Sequence, residues 1–401
     1  MNEQIVEQSI ALRPKLSALQ RMAFFVGLLG VVVALLGFMS DPEQFFRSYL
    51  LGYVYWVGLS LGCLAVLMLN HVVGGRWGFA TRRLLEAGTR TLPFMFLLLL
   101  PILFVGLHHL YEWSHLEVVA DDPVLSAKKG YLNETAFITR SLVYFAIWGL
   151  FAFLLNRWST MQDSQEETFP TRRMQRLSGP GLVIFTLSMT LAAVDWIMSL
   201  EPHWFSTIFS AIHIIGQILL TWAFLILVGS FLSHHSPLDK LLTNERLRDL
   251  GTFLFAFVML WTYTSFSQLL IIWAGNLPEE ITWYMTRLSG NWLNLGYGLI
   301  GLHFVVPFLL LMSSRIKTKT PILVLVALGL MIMRLVALFW VTAPAFHKSV
   351  MNVHWLDIAV PIGIGGLWLA LFFWHLKRRP LIALNDPRFE YLLTEEDHDH
   401  G

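Results

Sequence analysis

Ten apolar segments, each about as long as a bilayer is thick, divide this chain, and its Lys and Arg fall almost entirely in alternate loops between them. A bilayer core of ~30 Å is crossed by ~20 apolar residues in a helix. The segments lie at 22–40, 49–70, 91–112, 136–156, 180–199, 205–232, 251–274, 292–312, 321–341 and 357–376. All are expected to be helices, because an open strand leaves its backbone unsatisfied in hydrocarbon. Pro93, Pro180 and Pro321 stand near the expected helix starts, where a missing N–H costs little.

The N-terminus, the loops 71–90, 157–179, 233–250 and 313–320, and the C-terminal tail together hold 21 of the 28 Lys and Arg. The other five loops hold only Arg47, Lys128, Lys129, Arg287 and Lys348, and the spans themselves only Arg140 and Arg334. By the positive-inside rule both termini face the cytoplasm, and nine or eleven spans would break the alternation. The expected protein is therefore all-α and polytopic. Residues 1–380 form a transmembrane domain of ten helices, and residues 381–401 form a polar cytoplasmic tail.

Composition agrees. Hydrophobic residues make up 56% of the 401 and charged residues 14%, well below the roughly 25% charge of soluble domains. A net charge of +1 points to neither nucleic acid nor an acidic ligand as partner, and membrane lipid is the expected surroundings. A lone Cys63 excludes an internal disulfide, and an iron–sulfur cluster takes about four thiolates. The polar stretch 1–21 is followed by no short apolar core with a small-residue cleavage site, so no cleaved leader is expected. The tail ends Glu395-Glu396-Asp397-His398-Asp399-His400-Gly401 and reads as solvated rather than metal-binding.

An internal echo is present. His71 opens a basic loop running to Gly88-Thr89-Arg90-Thr91-Leu92-Pro93-Phe94, and His234-His235 open another running to Gly251-Thr252-Phe253-Leu254-Phe255. The loops lie four spans apart. That spacing suggests two parallel four-helix bundles, spans two to five and six to nine, with spans one and ten as flanking helices. Chance likeness between amphipathic loops is the alternative.

An ionisable side chain inside a membrane costs several kcal/mol at the level of ~3, so it should meet a partner or a water-filled cavity. Span four puts Arg140 in its outer turns, and span five puts Asp195 at similar depth, where the two can pair. Span three ends outside with His108, His109 and Glu112, and the short outer loop adds Glu201 and His203. Span six carries His213 and Gln217 four apart on one face. Acid, base and imidazole thus gather on the outer half of spans three to six, where quinone or an outgoing proton would need them. A structural Arg140–Asp195 bridge with interfacial histidines is the plainer alternative.

The second half is sparser. Span seven carries Thr262, Tyr263, Thr264, Ser265, Ser267 and Gln268. These can order water into a proton path, or bond their own helix carbonyls, which is commoner. His303 is near the middle of span eight, Arg334 on the outer side of span nine, and His354 and Asp357 at the start of span ten. Arg334 and Asp357 are offered as a pair. No C-x-x-C-H, Walker, dinucleotide-binding or zincin motif is present. His213 and His303 differ in depth, which disfavours a bis-histidine haem. No metal site, haem or iron–sulfur cluster is therefore expected in this chain.

The stretch Asp195-Trp196-Ile197-Met198-Ser199-Leu200-Glu201-Pro202-His203-Trp204-Phe205-Ser206-Thr207 resembles a known family. So does Phe266-Ser267-Gln268 with Ile271-Ile272-Trp273-Ala274-Gly275-Asn276-Leu277-Pro278-Glu279-Glu280. Both are similar to the quinol:cytochrome c oxidoreductase membrane subunits of bacterial alternative complex III, in the wider NrfD/polysulfide-reductase membrane-subunit family. The shorter, ActF-type subunits are the nearest in pattern, from the first span to Asn385-Asp386-Pro387-Arg388. The resemblance implies two four-helix bundles with flanking helices and no redox centre of the chain's own. It implies a place in the bacterial cytoplasmic membrane beside a sister NrfD-like subunit, an iron–sulfur subunit and c-type haem subunits. Quinol, as menaquinol or ubiquinol, would be oxidised near the periplasmic face. Asp195 would then accept a proton beside Arg140, and His213 with Gln217 would bond a quinone carbonyl or a water chain. Glu112 and His108 would extend that path, and Tyr263, Gln268, His303, Arg334 and Asp357 would form a second one. Two rival readings remain, a secondary transporter and a purely structural anchor. Pro307 and the Gly363, Gly365, Gly366 run do not make the matched helix breaks that transporters commonly show.

Overall fold

Hydrocarbon forces each crossing segment to satisfy its own backbone, and every regular element among the described residues is a helix. The computed structural model describes residues 2–164, 169–347 and 350–386. Among them, ten helices are long and apolar enough to cross a membrane: α1 (Glu3–Ser40), α2 (Pro42–Val73), α3 (Trp77–Leu110), α4 (Glu134–Ser164), α5 (Pro170–Leu200), α6 (Phe209–Leu232), α7 (Asn244–Gly275), α8 (Gly290–Met312), α9 (Thr320–Ala345) and α10 (Leu356–Leu376). The chain is an all-α, multi-pass membrane protein.

The helices exceed the apolar segments at their polar ends. The stretch before residue 22 continues α1 as one helix and buries Ile5, Leu12 and Leu16. Pro93 stands in the first turn of the second part of α3, which restarts at Leu92 after a break at Arg90-Thr91, and Pro321 occupies a first-turn position as expected. Pro180 does not: it lies inside α5, which begins about three turns earlier. Between α1 and α2 the turn is one residue, Asp41, whose carboxylate caps α2 by accepting from the Gln44 N–H at 3.0 Å. Asn276, left-handed at φ 46°, ends α7.

Packing closes two rings. In the first, α2, α3, α4 and α5 each touch their neighbours and α5 returns to α2; in the second, α6, α7, α8 and α9 do the same. This is the pair of four-helix bundles expected from the sequence. Helix α2 joins them by packing on α6, and it also carries α10. The most apolar window of α2 is wholly buried, against 22% for α1, α7 and α8, so α2 is the axis of the molecule. Helix α1 lies along α10 through facing glycines. A Cβ on Gly30 would stand 2.3 Å from Gly363 Cα, and one on Gly366 2.3 Å from Gly27 N. Small residues permit this backbone approach, which dispersion then rewards.

The first turns of α1, the segment after α10 and the basic loops share one face. There the segment after α10 is part of the folded body: Leu381, Ile382, Ala383 and Leu384 are buried. Arg379 donates to Glu86 at 3.0 Å and Asp163 at 2.8 Å, and Arg82 to Asp386 at 2.8 Å. Burial draws the Arg379 guanidinium down to about 10, against the pull of Glu86. The boundary expected at residue 380 thus falls short of this strap. The acidic end of the tail lies outside the described residues.

Two helices carry π turns, at Ile102–Gly106 in α3 and Ile300–Val305 in α8. Each adjoins a proline, Pro101 and Pro307, whose missing N–H leaves a carbonyl one turn back without its usual partner. For Pro307 that residue is His303.

Candidate polar sites inside the two bundles

In the first bundle the charges are matched. Asp195, fully buried near the end of α5, accepts from Arg140 Nε and Arg140 Nη2 at 2.9 Å each and from the Tyr144 hydroxyl at 2.7 Å. The fork of a guanidinium suits two carboxylate oxygens, and charge-assisted bonds are the strong ones. Arg140 also donates to the Tyr131 carbonyl at 2.9 Å and stands 3.8 Å from that ring's centroid. Its side chain is 20% exposed, so the cluster reaches the surface through Arg140. Trp148 and Trp196 wall it with their rings. The expected pair is formed.

The second bundle is unlike it. On α6 the Gln217 amide nitrogen donates to His213 Nε2 at 2.8 Å, and both residues are buried. Gln217 Oε1 has no partner. Next to Gln217 in the chain, Gly216 faces α9: a Cβ there would fall 2.3 Å from Arg334 Nη2. The Arg334 guanidinium lies 5.5 Å from the Trp261 ring centroid, and that ring meets His303 edge-on at 4.1 Å. Helices α7, α8 and α9 therefore send Trp261, His303 and Arg334 to one place, against Gly216 of α6. Among the described residues, Arg334 Nε, both His303 ring nitrogens, Trp261 Nε1 and Ser265 Oγ have no hydrogen-bond partner. An unpaired polar group in low dielectric costs roughly 1–3 kcal/mol, so such a concentration is unusual.

The far face, opposite the basic loops, joins the two motifs. Trp204 Nε1 donates to the Glu280 carbonyl at 3.0 Å, and Trp204 stacks on Trp283 at 4.8 Å. Gln268 accepts from Ser206 at 3.0 Å and donates to the Tyr284 hydroxyl at 3.2 Å. His203 Nε2 lies 2.6 Å from Asp122 Oδ2, and this hydrogen bond holds the Asp122 carboxyl below its ordinary range. His108 and Glu112 are exposed at this face and do not reach Asp195. His108 faces Glu134 at 3.4 Å and Ser114 at 3.2 Å instead.

Two expectations fail. Arg334 and Asp357 do not pair: Asp357 accepts from Ser48 at 2.5 Å, Gln44 at 3.1 Å and the His354 N–H at 2.9 Å. The reason is that α2 packs against both α9 and α10, and Asp357 turns to α2. Tyr263 is 67% exposed on the outside of α7, away from His303. Thr262 and Thr264 bond carbonyls of their own helix.

The sequence reading missed the buried Arg82–Arg83–Glu86 cluster and one buried pair on the far face. Arg287, the single basic residue of its loop, is fully buried and donates to Glu201 at 2.6 Å and to the Trp340 and Val341 carbonyls. Its guanidinium stands 3.6 Å from the Trp283 centroid. A lone Arg among Trp-rich segments on an otherwise acidic side was the available signal.

Fold and sites define a polytopic all-α membrane protein with charge buried inside both of its bundles. No protein-family model matches the chain, and no curated protein sequence matches it.

Proposed function

We propose that the chain is an integral subunit of a quinol-oxidising respiratory complex of the bacterial cytoplasmic membrane, where it conducts protons and contacts quinone near the periplasmic face. The observation that supports this most is the buried cluster in which Trp261, His303 and Arg334 converge from three helices beside α6, the helix of the His213–Gln217 pair. Intramembrane ionisable groups that line a bundle interior mark proton or substrate paths. In this reading the far face is periplasmic, as the basic loops at the other face suggest.

The donor set fits a quinol. Gln217 Oε1, buried and without a partner, is an acceptor for a quinol hydroxyl. Quinol, when bound, supplies two electrons and two protons. Gln217 orients the ring through that oxygen while holding His213 in place. Asp195 is the proton acceptor of the first bundle, and Arg140 links it to the surface. Electrons leave through an iron–sulfur subunit and c-type haem subunits, with a sister NrfD-like subunit alongside. The test is Asp195→Asn in the intact complex. Quinol turnover and proton release are expected to fall by roughly 10²-fold. Unchanged values for both would refute the role.

A further inference from the structure

Arg334 is an anomaly in this molecule. Every other arginine that the fold buries has acceptors: Arg82 and Arg83 bond Glu86, Arg287 bonds Glu201, and Arg246 bonds the Lys240 and Leu241 carbonyls. Arg334 is 5% exposed, and its buried Nε has no hydrogen-bond partner among the described residues. The buried acids of the spans are engaged elsewhere, Asp195 with Arg140 and Asp357 with Ser48 and Gln44. Tyr55, the nearest phenol, gives its hydroxyl to the Met331 carbonyl.

The surroundings of Arg334 are rich in donors. Trp261 Nε1, Ser265 Oγ and the His303 nitrogens are all unpartnered, and Ser265 sits one turn after Trp261 on the same face of α7. The unpartnered acceptors are Gln217 Oε1 and the unprotonated ring nitrogen of a neutral His303. A water molecule would answer the hydrogen bonds but leave the positive charge uncompensated in low dielectric. A neutral quinone carbonyl leaves it so too, and a cation would add to it. A single negative charge of small radius answers both needs.

We propose that Arg334, with Trp261, Ser265 and His303, forms a buried binding site for a small monovalent inorganic anion of the chloride class. The site lies inside the second bundle, and Gly216 leaves it room by presenting no side chain to the guanidinium. It does not depend on quinol oxidation. A chain that neither touches quinone nor moves protons would still need this counter-ion.

The test uses the full chain in lipid nanodiscs, washed into chloride-free gluconate buffer and titrated with radiolabelled chloride. Binding is expected to be saturable and to be competed by bromide. Arg334→Gln is expected to weaken it by about tenfold or more, and Arg334→Lys to retain most of it. Should Arg334→Gln fail to fold, anomalous scattering from bromide in crystals of the unaltered protein locates the ion, with density expected beside Arg334. No saturable chloride binding, unchanged affinity in a folded Arg334→Gln chain, or bromide found only elsewhere would each overturn the proposal. So would a short-chain quinone bound at Arg334 in a protein that binds no chloride.

Discussion

Each four-helix bundle places an arginine toward the far face of the membrane, and the two are solved in opposite ways. Arg140 meets a carboxylate with two parallel bonds, a tyrosine completes the acceptor, and the cluster opens to the surface. Arg334 lies ~12 Å below Thr342 in α9 at ~1.5 Å per residue, with aromatic rings and imidazole about it and no acid. The first arrangement is stable and self-contained. The second is incomplete within this chain, which is where a guest, an ion or a moving proton has something to complete.

The comparison breaks most readily at Asp195. Asp195→Leu leaves Arg140 without its carboxylate, and a loss of about 3–5 kcal/mol is expected in thermal or denaturant unfolding in detergent. A loss under 1 kcal/mol would show that the first bundle does not rely on the pair. Tyr144→Phe removes one bond to a charged acceptor and should cost about 1.5–3 kcal/mol by the same measurement. Arg334→Met is expected to have the opposite sign in chloride-free buffer. It removes an unpaired buried charge and should raise stability by about 1 kcal/mol, and a clear loss would show a partner that the second bundle conceals. Tyr263→Phe, on the exposed side of α7, should change stability by less than ~0.5 kcal/mol. The smallest effect belongs to the His203–Asp122 contact of the far face. Because His203 lowers the Asp122 carboxyl, the stabilisation is present above the ordinary carboxylate pKa and is lost as pH falls through the lowered one. The melting temperatures of the wild type and Asp122→Asn should therefore differ at neutral pH and converge only in acid, below about pH 4.

Much of this architecture is legible along the chain. Apolar length alone gives ten spans, and side charge gives their alternation, because both follow from the cost of polar groups in hydrocarbon. Arg140 and Asp195 could be matched because their helices are consecutive and antiparallel, so depth decides who meets whom. Asp357 could not be placed in this way. Its partners Ser48 and Gln44 are 309 and 313 residues distant, on a helix whose central position no local pattern announces. Tyr263 failed for a related reason: depth says how far along a helix a side chain lies, but not which way it faces. The π turn at His303 was foreshadowed by Pro307, four residues on, and that signal went unread.

The glycine seam between α1 and α10 sets an order of events. The first helix made finds its main neighbour only when the last has entered the bilayer, since chains are folded from the N-terminus as they emerge. Until then α1 waits beside α2, lipid filling the groove that Gly363 and Gly366 will occupy. A chain cut short before α10 would leave that groove open and the whole bundle pair without its clasp.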